Sequence, residues 1–167
     1  MKTIKFPLPH WGERPGNAII DTFVIHSMYA PGTENPFDPF TSINLLDKNS
    51  VTTHYMIDRG GVIIELVPEA LKAWHAGKSR MPFVNDSREE VNDFSIGVEL
   101  NASETSGFTD LQYISLIDLI LDVSKRHPIN AIVGHDQIAP GRKKDPGELF
   151  DWNRLKDAFS NSKYRFV

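Results

Sequence analysis

The sequence predicts a single-domain α/β protein in which helices flank a mixed central β-sheet. Three observations predict it: short apolar runs typical of buried strands, one strong hairpin signal, and two capped amphipathic helices in the C-terminal half. A length of 167 residues suits one domain that covers 1–167 and has a core of its own. Within it, residues 1–18 are rich in proline and are expected to form an extended lead-in.

Strands are predicted where β-branched, aromatic and aliphatic residues cluster. The first covers 22–26 and ends at His26. Two further runs, 55–57 and 62–67, flank Asp-Arg-Gly-Gly at 58–61, which predicts a β-hairpin. The last two predicted strands cover 95–100 and 131–134.

Helices are predicted from caps and from a period of 3.6 residues. The stretch 35–46 is expected to carry one short helix, and Thr109 with Gln112 forms a capping box that starts a longer one. That longer helix should end before His127-Pro128. Its buried face is expected to contain Ile114, Ile117, Ile120, Leu121 and Ser124. Asp151 should cap a final helix that buries Trp152, Leu155 and Phe159.

Composition excludes several classes of function. The chain has no cysteine, which rules out disulfides, thiolate zinc fingers and a cysteine nucleophile. A formal net charge of −4 argues against nucleic-acid binding. No apolar run reaches the roughly 18 residues of a membrane span, and no signal peptide is visible. We therefore expect a cytoplasmic monomer, or a periplasmic or secreted one if this chain is a mature form.

Two histidines and an aspartate suggest a metal site. His26 and His135 each follow a short apolar strand, so their side chains could meet at the rim of the sheet. Asp145 lies ten residues beyond His135, on a Gly- and Pro-rich loop that could fold back. Two imidazoles and one carboxylate with an open position for water are typical of catalytic zinc. The alternative is that each histidine is a hydrogen-bonded core residue.

Two charged residues could serve the chemistry at such a site. Glu99 stands in an otherwise apolar strand, where it could be a general base or belong to a solvated strand face. Lys143 lies two residues before Asp145, and in an extended segment both side chains would point to one side. Lys143 could then stabilise an oxyanion, whereas its neighbours Arg142 and Lys144 are expected to be solvated.

Five ordered sequence blocks resemble the zinc-dependent N-acetylmuramoyl-L-alanine amidases of the type-2 amidase and peptidoglycan-recognition superfamily, in particular its AmpD- and AmiD-like branches. The resemblance extends from about residue 20 to 160. The blocks are Phe-Val-Ile-His at 23–26, Thr-His-Tyr-Met-Ile at 53–57, Ala-Trp-His-Ala-Gly at 73–77, Asn-Asp-Phe-Ser-Ile-Gly-Val-Glu-Leu at 92–100, and 134–147.

The resemblance implies a zinc groove at one rim of the sheet and a role for each residue of the site. One Zn²⁺ per chain would be bound by His26, His135 and Asp145, while Glu99 would act as the acid/base carboxylate and Lys143 as the oxyanion partner. The implied reaction is hydrolysis of the amide between N-acetylmuramic acid, in its ordinary or its 1,6-anhydro form, and L-alanine of the stem peptide. The implied partners are peptidoglycan fragments or muropeptides.

Other positions are expected to contact substrate or to support the metal ligands, and two departures from the family pattern bear on specificity. Ser27 follows the first ligand where the family pattern has asparagine. The arginine that should contact substrate in the loop before Asn92 is not found in the expected register, and Arg88 is the residue that could take its place. Both put a strict preference for anhydro substrates in doubt. The supporting positions are Tyr55, His54, Trp74, His75 and Arg88.

A non-catalytic peptidoglycan-recognition module is the alternative, since some members of the superfamily bind muropeptides without cleaving them. Such members typically lose the third metal ligand. The presence of Asp145, together with Glu99 and Lys143, favours the enzyme.

Overall fold

A six-stranded mixed β-sheet forms the centre of the protein. The computed structural model describes residues 3–167, and the strands of its central sheet lie in the order β1-β5-β4-β7-β3-β8. A separate pair, β2 and β6, is antiparallel. The strands are β1 Thr3–Lys5, β2 Trp11–Gly12, β3 Thr22–Met28, β4 Tyr55–Ile57, β5 Ile63–Glu65, β6 Lys72–Ala73, β7 Ser95–Asn101 and β8 Ala131–Gly134. The predicted fold class, α/β with a mixed sheet, is confirmed.

Four adjacent strands of the sheet are parallel. β4, β7, β3 and β8 run in one direction, and β5 is antiparallel to β4, so the predicted hairpin is confirmed. β1 pairs with β5, which means that part of the predicted lead-in is an edge strand of the sheet. Residues 1–2 of that lead-in lie outside the described residues.

Within residues 3–167, a short 3₁₀-helix, Val91–Asp93, and four α-helices complete the fold. The α-helices are α1 Pro39–Lys48, α2 Asp110–Val123, α3 His135–Ile138 and α4 Trp152–Ala158, and the caps of α2 and α4 follow the sequence signals. The capping box of Thr109 and Gln112 is present, and Asp151 accepts from the backbone N–H of Arg154 at the start of α4. No helix formed by residues 3–167 is both long enough and apolar enough to cross a membrane.

The predicted buried face of α2 is wrong in part. Ile114 is 52% exposed and Leu121 is 47% exposed, whereas Leu116 and Leu119 are fully buried. Aliphatic residues occur all around this helix, so their spacing alone cannot identify the side that packs on the sheet. The sheet selects the face that holds Gln112, Tyr113, Leu116, Leu119, Ile120 and Val123.

Alternation along the strands divides the sheet into two faces. Phe23, Ile25 and Val98 pack with α2 and α4 in the larger core. Their neighbours in sequence point to the opposite face, where Val24 and Met56 belong to two smaller clusters, one of which includes residues of α1. His26 and Glu99 follow the same alternation and share this second face.

We predict that Leu116→Ala lowers the free energy of unfolding by about 2–5 kcal/mol, because it leaves a cavity between α2 and the sheet. Leu121→Ala, on the exposed side of the same helix, should change it by less than about 0.5 kcal/mol. Urea unfolding followed by circular dichroism measures both. Equal losses in the two variants would contradict the orientation of α2.

Candidate metal centre

Three side chains converge on one point at the second face of the sheet. His26 Nδ1 and His135 Nδ1 are 2.9 Å apart, and Asp145 Oδ2 lies 3.1 Å from the first and 3.0 Å from the second. Both histidines are buried, and Asp145 is partly buried. Residues 3–167 contain one group of potential ligand atoms clustered in this way, and it is this one.

Parallel strands bring the two histidines together. β3 lies between β7 and β8, and Ile25 pairs with Gly134, so His26 and His135 occupy neighbouring positions. β3 continues to Met28, because β7 pairs with it to that point, and the prediction that the strand ends at His26 is wrong. Gly134 is required sterically, since a Cβ there would lie 2.9 Å from Pro146 Cδ and 3.1 Å from the Trp152 ring.

The loop that follows α3 folds back to bring in the carboxylate. Asp136 N–H donates to the carbonyl of Asp145 at 2.8 Å, and Lys143 N–H donates to that of Ala139 at 3.0 Å. These two backbone bonds fix both arms of the loop. Asp145 is therefore held close to the histidines by backbone hydrogen bonds, along a path that the Gly- and Pro-rich sequence of the loop permits.

The chemistry of the three donor atoms fits a cation. His135 Nε2–H donates to the carbonyl of Ala76 at 3.1 Å, which leaves Nδ1 as the ring nitrogen that faces Asp145 Oδ2 and could bind a cation. Burial lowers the pKa of His26 to about 4 against the raising effect of Asp145. Burial also works to raise the pKa of Asp145, but contact with His135 and His26 holds it well below its usual range.

Two imidazole nitrogens and a carboxylate oxygen thus face one another at about 3 Å. Lone pairs this close repel one another unless a cation or a proton lies between them. Two nitrogens and one oxygen form a donor set that divalent transition metals accept. The three side chains could therefore hold a metal ion.

Glu99 lies beside the three donor atoms with an unsatisfied carboxyl group. It pairs in register with His26 on the adjacent parallel strand, so both side chains point to the same face. Its Oε2 is buried and has no hydrogen-bond partner within residues 3–167. Burial, and then the charge of Asp145, raise the pKa of Glu99 well above its ordinary value of 4.5. A buried carboxyl group without a partner is a candidate functional group.

The donor atoms and Glu99 open into a cleft of about 340 Å³. Lys143 is exposed and lines it on one side, and Trp74, 41% exposed, lines it together with Ser27. The cleft is polar at the donor atoms and apolar where Met28, Leu46 and Val51 contribute. A larger cleft of about 550 Å³ elsewhere contains none of the three ligand side chains.

Two of the supporting positions lie away from this cleft. Tyr55 points to the opposite face of the sheet, where its hydroxyl donates to Glu69 Oε1 at 2.6 Å. It is Met56 that pairs with Glu99, so the one-residue alternation of β4 excludes Tyr55. Arg88 is also displaced, because its guanidinium pairs with Asp86 and Asp21 and stacks on Phe94. Neither residue can make the contact expected from the sequence.

The two remaining histidines of the resemblance blocks differ in position. His75 lines the cleft, and its Nδ1 lies 3.0 Å from His26 Nε2. His54 is buried behind β7, where its Nδ1 accepts from Gly97 N–H at 3.0 Å and burial lowers its pKa to about 3. His54 supports the strand and makes no hydrogen bond to a ligand.

Sequence reasoning missed two residues of the cleft. Arg142 was expected to be solvated, but its Nη2 donates to the carbonyls of Ala76 at 2.5 Å and Lys78 at 2.7 Å. Asn92 Oδ1 accepts from the backbone N–H groups of His75 and Ala76. Both contacts join residues more than a dozen positions apart, so no local sequence signal could reveal them.

Comparison with known proteins gives a consistent family relationship. Residues 15–148 match the model of the N-acetylmuramoyl-L-alanine amidase family. Over 176 aligned positions the chain is 34% identical to the 1,6-anhydro-N-acetylmuramyl-L-alanine amidase AmpD of Citrobacter freundii, an alignment that covers 96% of this chain and 92% of that protein.

Solved structures show the same relationship. A selenomethionine derivative of AmpD superposes with a TM-score of 0.79 at 34% identity and covers 93% of each chain. AmiD from Escherichia coli, in complex with the substrate anhydro-N-acetylmuramic acid-L-Ala-D-γ-Glu-L-Lys, superposes with a TM-score of 0.71 at 31% identity. That match covers 87% of this chain and 60% of AmiD.

We predict a pH-dependent gain in stability for Glu99→Gln in metal-free protein. Folding raises the pKa of Glu99 above 4.5, so the wild type loses stability as pH rises through that value. Glutamine does not titrate. The stability of Glu99→Gln relative to wild type should therefore grow as pH rises above 4.5 and stay constant below that value. Chemical unfolding in the presence of a chelator measures it, and a difference independent of pH would contradict the assignment.

Proposed function

Because the chain belongs to the N-acetylmuramoyl-L-alanine amidase family, we propose that it hydrolyses the amide between N-acetylmuramic acid and L-alanine of peptidoglycan stem peptides. The observation that carries this proposal is the convergence of two histidines and an aspartate beside an unsatisfied buried glutamate in one open cleft. Amide hydrolysis needs an electrophile, a group that moves a proton and room for the substrate. The cleft offers candidates for all three.

The metal in this proposal is one Zn²⁺ per chain, held by His26, His135 and Asp145. Three protein ligands with one open position are typical of catalytic zinc rather than structural zinc. When bound, zinc supplies a Lewis acid that polarises a carbonyl oxygen and lowers the pKa of water to about 7. The position of the donor atoms at the floor of the cleft supports this role, since the open side faces the space that a substrate would fill.

Glu99 is the proposed acid/base group. Its unpartnered Oε2 can accept a proton from the attacking water and deliver that proton to the nitrogen of the departing L-alanine. Burial favours the neutral acid in the metal-free protein. A bound dication beside it would favour the carboxylate, so the resting group would be ready to accept a proton.

Lys143 is the proposed partner of the oxyanion that develops at the carbonyl. It lies on the rim of the cleft, two residues from Asp145, and its positive charge is close enough to act on both His26 and Glu99. A cation near the position where negative charge develops stabilises the transition state more than the ground state.

The proposed substrate class is muropeptides and peptidoglycan fragments. AmpD of Citrobacter freundii is named for a 1,6-anhydro substrate, and the AmiD structure contains an anhydromuropeptide. Trp74 offers an exposed aromatic surface at the cleft, on which the apolar face of a sugar could pack. The hydroxyl of Ser27 donates to the carbonyl of Pro146 at 3.3 Å. The anhydro form is included in the proposal because of the substrates named for these two relatives.

A binding module without catalysis is the alternative. The complete set of Asp145, Glu99 and Lys143 favours the enzyme, because a module that only binds needs no unsatisfied buried carboxyl group. The expectations of a monomer and of a cytoplasmic location stay predictions. Incubation with defined anhydro- and reducing-end muropeptides, followed by mass spectrometry, tests the function. Release of free stem peptide is expected, and binding without release would establish the alternative.

We predict that Glu99→Ala and Asp145→Ala separate catalysis from metal binding. Glu99→Ala should retain zinc and lower kcat by about 10²–10⁴-fold, because it removes only the proton-transfer group. Asp145→Ala should lose zinc at neutral pH, because it removes a ligand. Metal analysis and the muropeptide assay measure both. Near-normal turnover in the first variant, or full zinc occupancy in the second, would refute the assigned role.

We predict that Lys143→Ala lowers kcat by about 10²–10³-fold, the range found for loss of one oxyanion partner. Lys144→Ala is the matched control, since it removes the same charge one residue away. It should change kcat by less than about threefold, because Lys144 is not part of the cleft lining. Equal effects of the two variants would mean that only the general positive charge of the loop matters.

A further inference from the structure

We propose that the dipeptide His75-Ala76 fixes the tautomers of both metal histidines, with His75 as a positioning residue that acts through His26. Zinc affinity is then set by residues that do not touch the metal. The proposal rests on the metal site proposed above and extends it to the residues behind the ligands.

Each metal histidine directs Nδ1 to the centre and Nε2 away from it. His26 Nε2 lies 3.0 Å from His75 Nδ1, and His135 Nε2 lies 3.1 Å from the carbonyl of Ala76. A neutral imidazole can coordinate through Nδ1 only when Nε2 carries the proton. Two consecutive residues of one loop thus receive the Nε2 protons of both ligands.

The carbonyl of Ala76 can only accept, so it selects the correct tautomer of His135 without ambiguity. His75 is different, because its ring can donate or accept at Nδ1. In the metal-binding state His75 must accept there, which requires its own proton on Nε2. That nitrogen lies 3.2 Å from Ser95 Oγ, which can accept the proton. The resulting chain of donors runs from His26 through His75 to Ser95.

Because the rings are buried, the hydrogen bonds that run from His26 through His75 to Ser95 provide the partners for their nitrogen atoms. His75 and Ser95 are buried. An imidazole ring that carries its proton on Nε2 has a lone pair on Nδ1, so the one His75 ring can accept from His26 and donate to Ser95. Within residues 3–167, the hydrogen-bond partners of its ring nitrogens are His26 and Ser95.

A glycine provides the space for the His75 ring. A Cβ on Gly97 would lie 2.6 Å from His75 Cγ and 2.7 Å from its Nδ1, closer than real side chains approach. The backbone N–H of Gly97 is held by His54 Nδ1. Ser95, Gly97 and Glu99 are alternate residues of β7, so a single strand face positions His75 and presents the carboxyl group.

The dipeptide itself is held on both sides. Asn92 Oδ1 accepts from the backbone N–H of His75 at 3.2 Å and from that of Ala76 at 2.8 Å. Arg142 Nη2 donates to the carbonyl of Ala76 at 2.5 Å, which fixes the acceptor used by His135. Partners of this kind typically change metal affinity by about 10–100-fold when they are removed.

Substitutions at His75 test the proposal through zinc affinity, measured by competition with a chromophoric chelator. His75→Leu removes the acceptor, and the zinc dissociation constant should rise by about 10–100-fold. His75→Asn places Oδ1 near the position of Nδ1 and should restore the affinity to within about threefold of wild type. His127→Leu is the control, since it removes a histidine that bonds to Glu69 and contacts no metal ligand. It should lower thermal stability and leave zinc affinity unchanged.

A spectroscopic measurement on the wild type keeps the proposal testable if His75→Leu fails to fold. In zinc-loaded protein, ¹⁵N chemical shifts should show His75 protonated on Nε2 and unprotonated on Nδ1. A proton on Nδ1 in that state, or a zinc affinity of His75→Leu equal to wild type, would overturn the proposal. Failure of the wild type to bind zinc would instead refute the metal site proposed above.

Discussion

Three electron-rich atoms held within about 3 Å of one another are the constraint on which the site depends. Such an arrangement is repulsive unless a cation or a proton lies between the atoms, so its geometry depends on the surrounding structure. Parallel pairing of β3 with β7 and β8 fixes His26 and the start of α3. A backbone bond between Asp136 and Asp145 fixes the third atom. The central sheet and the loop after α3 therefore bring the three donor atoms together and hold them in place.

The two faces of the sheet divide stability from chemistry. The face under α2 and α4 is filled by aromatic and aliphatic side chains that make up the larger core. On the other face, residues 95, 97 and 99 of β7 are a serine, a glycine and a glutamate, and they face the site. The large core offsets the unfavourable burial of Glu99, and that carboxyl group can then remain without a partner.

Support for the ligands comes from the loop 74–78, which is not adjacent to them in sequence. His75 and Ala76 receive the outer protons of the two imidazoles, while Asn92 and Arg142 hold the loop. Arg142 thereby has a structural task, which is to hold the carbonyl of Ala76. The task proposed for its neighbour Lys143, to stabilise the oxyanion, is different. Trp74, at the start of the same loop, also lines the cleft.

The sequence by itself determined β3, β4, β5, β7 and β8, the hairpin, the caps of α2 and α4 and the identity of the candidate ligands, because each depends on local periodicity or on a short pattern. It did not reveal β1, β2 or β6, which are short strands of two or three residues. Only the tertiary structure decided which face of α2 is buried, since aliphatic residues surround that helix. It also excluded Tyr55 and Arg88 from the cleft and included Asn92. The physical reason is that a one-residue alternation or a long-range hydrogen bond decides these positions, and neither leaves a local pattern in the chain.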